Sequence, residues 1–567
     1  MRKILGFIAL IGIFIFTGCS SSSTDSSVFS LTANPGVMVS MKADSPALND
    51  ATDKITIDFS EQLDQATVSG EVKLFKRNDG GTYEEVACAV AADANNPMRL
   101  AVSTQSGSKL AEGAQYKVVI GKNIRAKNGI MMGSDFTGYF AINYSFGLST
   151  EGISALNGER TQIICISDIH LGADLSYSEF GRNGGGNSAA LTDFLNKVRT
   201  APNVKELVIA GDLFDEWFVP ADVDTFQGKN QADFMVRLAA ANKTVIDAFN
   251  NIIKDGKIKV TYVPGNHDLL ITAADVESIM PGINQARDVR GLGVYSPDNH
   301  PEIAIEHGHR YNYFCAPDPI SNRSITNTDS IMPPGYFFTR VATTSVVERM
   351  KGVAVSQIAP PEVNLASSSE SQTMLFYYYK TFAGILATLP IAEKYTDKFI
   401  KTNIDGFTAE YALSDIIPYQ SAPGGPIDVN LFKGMQDTWD QRQELNLVPV
   451  KIPVRTAILD AAKSSDLDDK SDTQYFNLPS SNKRIVVFGH THAALVKAST
   501  NAASRKTIYA NSGTWIDHNP AGTMMNFVVI TPQKSSGSAV EYVNLYTYSN
   551  SGSITRLPNP QAIVDLN

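Results

Sequence analysis

The chain has few cysteines, few histidines, no excess of positive charge and no apolar run long enough to cross a bilayer. Of its 567 residues four are cysteine and eight histidine, and the formal net charge is -10. Beyond Cys19 the cysteines are Cys88, Cys165 and Cys315, with no pair at metal-ligand spacing, so a thiolate-bound metal is excluded. Cys165 lies in the apolar run 163–166 and reads as a buried small side chain. A Cys88–Cys315 disulfide stays open for an oxidising compartment. A net negative chain offers no general field for a nucleic-acid backbone, and no nucleic-acid partner is expected. The apolar stretch Ile4–Phe16 falls short of the ~20 residues that span a bilayer. What is present is ordinary for globular protein, 43% hydrophobic and 19% charged, at a length that predicts two to four domains.

Arg2 and Lys3 precede the apolar stretch, and Thr17, Gly18 and Cys19 follow it, with serines at 20–23. This order resembles the lipobox of bacterial lipoproteins. The resemblance implies a signal peptide over 1–19, lipidation of Cys19 and a Ser-rich tether over 20–27. The expected location is the bacterial cell envelope, lipid-anchored at the outer membrane or cell surface. From 28 to 147 the pattern is short alternating segments. Lys54–Phe59, Val72–Phe75 and Tyr116–Ile120 read as strands, and Asn78-Asp79-Gly80-Gly81, Glu112-Gly113 and Asn128-Gly129 read as turns. This predicts a small all-β sandwich. It resembles the Ig-like modules of bacterial surface proteins, either a spacer or a binding domain.

The grammar changes after Tyr144. Strands at Gln162–Ser167, Glu206–Ala210 and Lys259–Val263 alternate with helices near Ala189–Arg199 and Ala232–Lys254. Further strands read at Glu302–Glu306, Arg484–Phe488 and Thr507–Ala510. The alternation predicts an α/β domain over 160–548. It is interrupted at 311–482 by an insertion with helical stretches and no strand–helix rhythm.

The chemistry-bearing residues sit where those strands end. They are Asp168 and His170; Gly211-Asp212 with Asp215; Gly265-Asn266-His267; His307-Gly308-His309; and Gly489-His490-Thr491-His492. Loops at strand C-termini are where α/β folds build sites. Six of the eight histidines fall in these turns. Carboxylates, an amide and imidazoles without thiolate suit divalent Mn, Fe or Zn. Two such ions ~3.5–4 Å apart can clamp both nucleophile and leaving oxygen at phosphorus.

The ordered set resembles the calcineurin-like metallophosphoesterases over roughly 161–548. The resemblance implies a ββ-sandwich flanked by helices and two divalent metal ions. One ion would take Asp168, His170, Asp212 and His492; the other would take Asp212, Asn266, His307 and His490. His267 would stabilise the phosphoryl oxygens or protonate the leaving group, with Asp215 orienting its ring. His309 competes with His307 for the fourth position, and His307 is the choice because it lies nearer the strand end. The activity implied is hydrolysis of a phosphoester by attack of a dimetal-bridging hydroxide on phosphorus; the alternative is an inactive cell-surface binding protein. Asp168-Ile169-His170-Leu171-Gly172 and Gly211-Asp212-Leu213-Phe214-Asp215-Glu216-Trp217 look closest to UDP-2,3-diacylglucosamine hydrolases. This chain departs from those in its longer insertion and its export signal.

No substrate-binding residue is assigned. Gly184-Gly185-Gly186, Arg182 and Arg310 could meet a phosphate or could be loop and surface residues. Within the insertion, Phe337, Phe338, Val341, Val346 and Val347, then Met374, Leu375, Phe376, Tyr377, Tyr378 and Tyr379, then Phe382, Ile385, Leu386 and Leu389 lie in helical stretches, the last set recurring at three- and four-residue steps. They either pack as the core of a helical cap or offer an apolar groove to a lipid-linked phosphoester.

Overall fold

The computed structural model describes residues 39–40, 55–77, 82–106, 110, 115–132, 135–141, 160–201, 204–288, 290–365, 369–520, 522–531, 541–557 and 563–564. The export signal, Cys19, the tether and the turns at 78–81 and 112–113 lie outside the described residues.

The N-terminal domain is two antiparallel four-stranded sheets. One runs Val39–Ser40, Ile55–Phe59, Arg99–Thr104, Cys88–Ala92; the other runs Tyr83–Val86, Val72–Arg77, Gln115–Ile120, Phe136–Ala141. Alternate residues face inward, since a strand covered on one side buries every second side chain. Ile57, Leu74, Leu100, Val102 and Val118 are fully buried in a core of their own. The open disulfide is overturned: Cys88 and Cys315 are not joined to one another. Cys88 is half-buried at this core's margin, whereas Cys315 is buried inside the other domain.

The second domain is a sandwich of an eight-stranded and a four-stranded sheet. The larger follows the order Asn284–Gln285, Lys259–Val263, Val204–Ala210, Gln162–Ile166, Asn526–Thr531, Glu541–Tyr548, Ile554–Arg556, with Ile563–Val564 also on Glu541–Tyr548. Its first four strands are parallel and Asn526–Thr531 joins them antiparallel. The smaller follows Ile303–Ile305, Ile485–Phe488, Lys506–Asn511, Leu495–Thr500. The strand Gln162–Ile166 is buried at every residue, and its two faces have different neighbours. Ile163 and Cys165 meet Ile305, Val487 and Ile508 of the second sheet; Ile164 and Ile166 meet the helical side with Leu191 and Phe194. A strand buried on both faces reads as a continuous apolar run, which is what 163–166 is.

The helix expected over 232–254 is two, Gln231–Ala241 and Lys243–Asp255. Asn242 breaks it: its backbone leaves helical geometry, and its side-chain amide donates to the carbonyls of Leu238 and Gly172. A short amide that bonds nearby backbone competes with the helix, so asparagine favours such junctions.

The insertion is less helical than expected. It holds helices Gly335–Met350, Glu370–Leu386, Trp439–Leu445 and Val454–Asp460, together with two-residue strand pairs and a π-helical turn at Asp472–Phe476. Its apolar side chains do not form a separate cap core. Phe337, Phe338, Phe382 and Leu386 belong to the same buried cluster as Ile164, Phe194 and Trp217. Of the residues named as groove candidates all but Val347, Phe376 and Tyr377 are buried and so consumed by packing, and those three are half-buried. Among the described residues no helix is long and apolar enough to cross a membrane.

Candidate metal centre

The expected residues converge from five loops. His170 presents Nε2 to His492 Nε2 at 3.1 Å, and His492 Nε2 lies 3.1 Å from Asp168 Oδ1. Nearby, Asn266 Oδ1 is 3.1 Å from His307 Nε2 and 2.9 Å from His490 Nδ1. The carboxylate of Asp212 stands between the two groups, its Oδ2 3.1 Å from His307 Nε2 and 3.7 Å from His170 Nε2. Asp168, Asp212, His170 and His307 are buried to within 1% exposure, and His490 is the most exposed of the set at 9%.

Local backbone explains why these side chains point inward. Asp168, His170, Asp212, His490 and His492 all have positive φ, between 49° and 71°. Asp, Asn and His tolerate this left-handed region better than most residues, yet each such residue costs on the order of 1–3 kcal/mol. Glycines make room beside them. A Cβ on Gly211, at φ +90°, would sit 2.3 Å from His307 Nδ1, and one on Gly265 would sit 2.1 Å from Asp212 Oδ1. Asp268, which the motif reading left without a role, ties two loops together. Its carboxylate accepts from the Gly265 and Leu213 amides at 2.6 and 2.9 Å.

Hydrogen bonds fix which ring nitrogens remain available. His307 Nδ1 donates to the Ala210 carbonyl at 2.9 Å, and His170 Nδ1 faces the Asp215 carboxylate at 2.9 Å. In neutral imidazole this leaves a lone pair on Nε2 of each. Those lone pairs point at another ring nitrogen, a carboxylate or an amide oxygen, all acceptors when unprotonated. The His267 and His490 backbone amides donate to Asp212 and Asp168, but lone pairs that face one another still repel, and a cation among them would relieve this. The donor set therefore fits two divalent ions. The buried groups that could hold an ion include Asp168–His170–His492 and Asp168–Asp212–His307.

Charges respond accordingly. Burial pushes the Asp212 carboxyl up, but the His307 and His267 rings outweigh it and hold it well below the usual range. Burial pushes His307 down, while Asp212 and Asp168 lift it to about 9. Burial, with His307 beside it, drops His490 to about 3.

Asp215 serves both histidines that flank it. Its Oδ1 lies 2.8 Å from His267 Nδ1, its Oδ2 faces His170, and Oδ1 also accepts the Trp217 and Phe218 amides. His267 is lifted to about 10: burial opposes protonation, and the Asp215 and Asp212 carboxylates overcome it.

The structure separates His307 from His309. His309 is buried with neither ring nitrogen hydrogen-bonded, its ring centroid 5.4 Å from that of His307, and it joins none of the ion-holding groups. Arg310 is committed to Glu306, Nε to Oε2 at 2.8 Å, and is not offered to a phosphate. Arg182 donates from Nε to the Ser178 carbonyl and lies over the Phe218 ring, and Gly186 opens the helix Gly186–Thr200. Motif reading missed Glu179, a buried carboxyl 3.6 Å from His170 Nδ1, pushed well up by burial and then by Asp215. A single Glu in an unpatterned loop carries no signal in sequence.

An α/β sandwich with acidic and imidazole side chains gathered at its strand ends is an arrangement that could hold metal ions. The comparison with families makes this specific: residues 161–340 match the calcineurin-like phosphoesterase family and residues 32–147 match a bacterial Ig-like domain. The chain thus carries a calcineurin-like phosphoesterase domain behind an N-terminal bacterial Ig-like domain. The phosphoesterase match ends inside the insertion, so His490 and His492 lie beyond it and are brought in by the fold. No curated protein matches the chain. Among solved structures, the surface layer protein SbsC, domains 1-6, is 16% identical over 21% of this chain and 15% of that one. E. coli alpha-2-macroglobulin is 14% identical over 26% of this chain and 7% of its own. Both have a TM-score of 0.14, and neither bears on the fold.

Proposed function

We propose that this protein is an exported, lipid-anchored hydrolase of phosphoesters, working at the centre built from Asp168, His170, Asp212, Asn266, His307, His490 and His492. The observation that carries the reading is the position of Asp212, whose carboxylate lies between two sets of lone-pair-bearing ring nitrogens. Divalent ions held there supply Lewis acidity toward phosphoryl oxygens and an activated water.

The chain's own residues do the rest. Asp168 and His492 face one another on one side, and Asn266, His307 and His490 on the other. His267 has Nδ1 engaged by Asp215, which leaves Nε2 to give a proton to the departing oxygen. The near-complete burial of the carboxylates lowers the local dielectric, which strengthens each charge interaction with a phosphoryl group. Lipid anchoring through Cys19 follows from the N-terminal pattern and would hold the domain at the cell envelope.

The test is the purified chain reconstituted with Mn, Fe or Zn in turn and offered mono-, di- and pyrophosphate esters. Turnover with about two ions per chain is expected. A protein that binds two ions and cleaves none of these esters would overturn the hydrolase reading in favour of a binding protein. Cys19→Ala should abolish detergent partitioning, and unchanged partitioning would remove the anchor.

A further inference from the structure

One part of the insertion that reaches the candidate centre is the helix Gly335–Met350. Tyr336, Arg340 and Thr344 recur at four-residue steps and so share one face of that helix. That face grips the segment that follows Trp217. Arg340, fully buried, donates from Nε to the Val219 carbonyl at 2.8 Å and from its Nη2 to the Pro220 carbonyl at 2.9 Å, and also to Val223. Thr344 Oγ1 accepts from the Ala221 amide at 2.8 Å. Tyr336 bonds through its hydroxyl to Thr225 and Arg340, and its ring meets Trp217 edge-on, centroids 6.3 Å apart at 82°. Trp217, with no exposed surface, lies against His267 at 4.8 Å and 31°. The His267 ring also meets the His170 ring edge-on, at 4.5 Å and 87°.

His267 is thus held from three directions, by Asp215 at Nδ1, by His170 and by Trp217. Only the last depends on the insertion. A guanidinium buried without a carboxylate partner carries a desolvation cost of several kcal/mol. Here it is offset by backbone carbonyls that all belong to the stretch 219–223. The result is a loop whose position is set by the insertion and which in turn sets the indole.

We propose that Trp217, held by Tyr336 and Arg340 of the insertion, is a positioning residue for His267, so that the insertion forms the back wall of the centre and governs proton delivery to the leaving oxygen. This rests on the hydrolase reading above. Positioning of a proton donor matters most when the leaving oxygen is strongly basic, because such an oxygen cannot depart unprotonated. A residue that only supports the fold has no reason to discriminate between leaving groups.

The experiment uses the full chain reconstituted with metal, and compares kcat and KM for a p-nitrophenyl ester and an alkyl ester of the same phosphate. Trp217→Leu should lose kcat by about 10–100-fold on the alkyl ester and about threefold or less on the p-nitrophenyl ester, within the range general acid catalysis supplies. KM and the two bound ions should stay near wild type. Trp217→Phe, which keeps a ring against His267, should recover most of the alkyl-ester rate. Should Trp217→Leu fail to fold, Tyr336→Leu should give the same discrimination in weaker form. Equal losses on both esters, no loss on either, or loss of the ions would overturn the positioning role. A wild-type protein inert on both esters would overturn the hydrolase reading, and this inference with it.

Discussion

In the strand-end loops, Asp168, Asp212, His170, His307 and His492 face one another with ring nitrogens and carboxylate oxygens about 3 Å apart. In the insertion, Arg340 and Arg442 are as deeply buried, yet they turn to backbone carbonyls. Arg442 donates from Nε to the Pro317 carbonyl at 3.0 Å and also to Ala316, and Arg340 bonds to carbonyls of 219–223. Among the described residues neither guanidinium has a carboxylate within ion-pair distance. The two regions bury polar groups for different ends. The insertion turns its buried charges to backbone carbonyls, its own for Arg442 and those of 219–223 for Arg340. The loops bring ring nitrogens and carboxylate oxygens close together on left-handed backbone, in buried groups that could hold a metal ion.

The largest expected effect tests the loops. Asp212→Asn keeps the shape but removes the charge shared by both groups, and kcat/KM should fall at least about 10²–10³-fold, as for loss of a transition-state stabiliser. Ion content measured on the same sample should fall with it. Near wild-type turnover with two ions bound would place the bridging charge elsewhere.

The insertion should answer in stability instead. The Phe382 ring is fully buried against Phe338 and Phe314, with centroids 3.6 and 4.2 Å away. Phe382→Ala should cost about 3–5 kcal/mol by denaturant unfolding. Since this cluster is continuous with the α/β core, excising 335–417 should yield no soluble folded protein. A folded excision product would show that the insertion is a detachable cap.

The N-terminal sandwich, with its separate core, sharpens the contrast further. Ile57→Ala there should cost about 2–5 kcal/mol and lower one unfolding transition while leaving turnover unchanged.

The smallest effect concerns Asp466 of the insertion. Burial lifts its carboxyl to about 7, with Lys470 and the Asn312 amide opposing and Asp460 and Asp469 assisting. An acid whose folded pKa exceeds its unfolded value binds its proton more tightly when folded. Its contribution is therefore complete at low pH and is lost as pH rises from about 4 to about 7. Asp466→Asn should flatten the fall in stability across that window, measured by melting at each pH. An unchanged slope would assign the pH dependence to other groups.

Some of this was legible in sequence because the determinants are local. The strand Lys259–Val263 and the alternation at 55–59 follow from side-chain period alone. The ligand-bearing turns announce themselves because six of eight histidines crowd behind apolar strands. Other features were not legible. The break at Asn242 depends on a hydrogen bond to Gly172, seventy residues earlier. The apolar stretches 337–347 and 374–389 read as core or as groove, because periodicity says that a face is apolar and not what covers it.

The sequence by itself determined the donor chemistry of the centre, since carboxylate, amide and imidazole in place of thiolate are properties of residue type. It also determined the places where the loops must turn, since glycine beside Asp212 and Asn266 is the residue that admits close approach. Only the tertiary structure decided that His307 and not His309 joins Asp212, and that Arg310 belongs to Glu306. Only the tertiary structure brought the insertion's Tyr336 and Arg340 behind Trp217. The physical reason is that residue type and local period set what a side chain can bond to. Which partner it meets depends on packing between segments far apart in the chain, where each contact is fixed by the shape of everything around it.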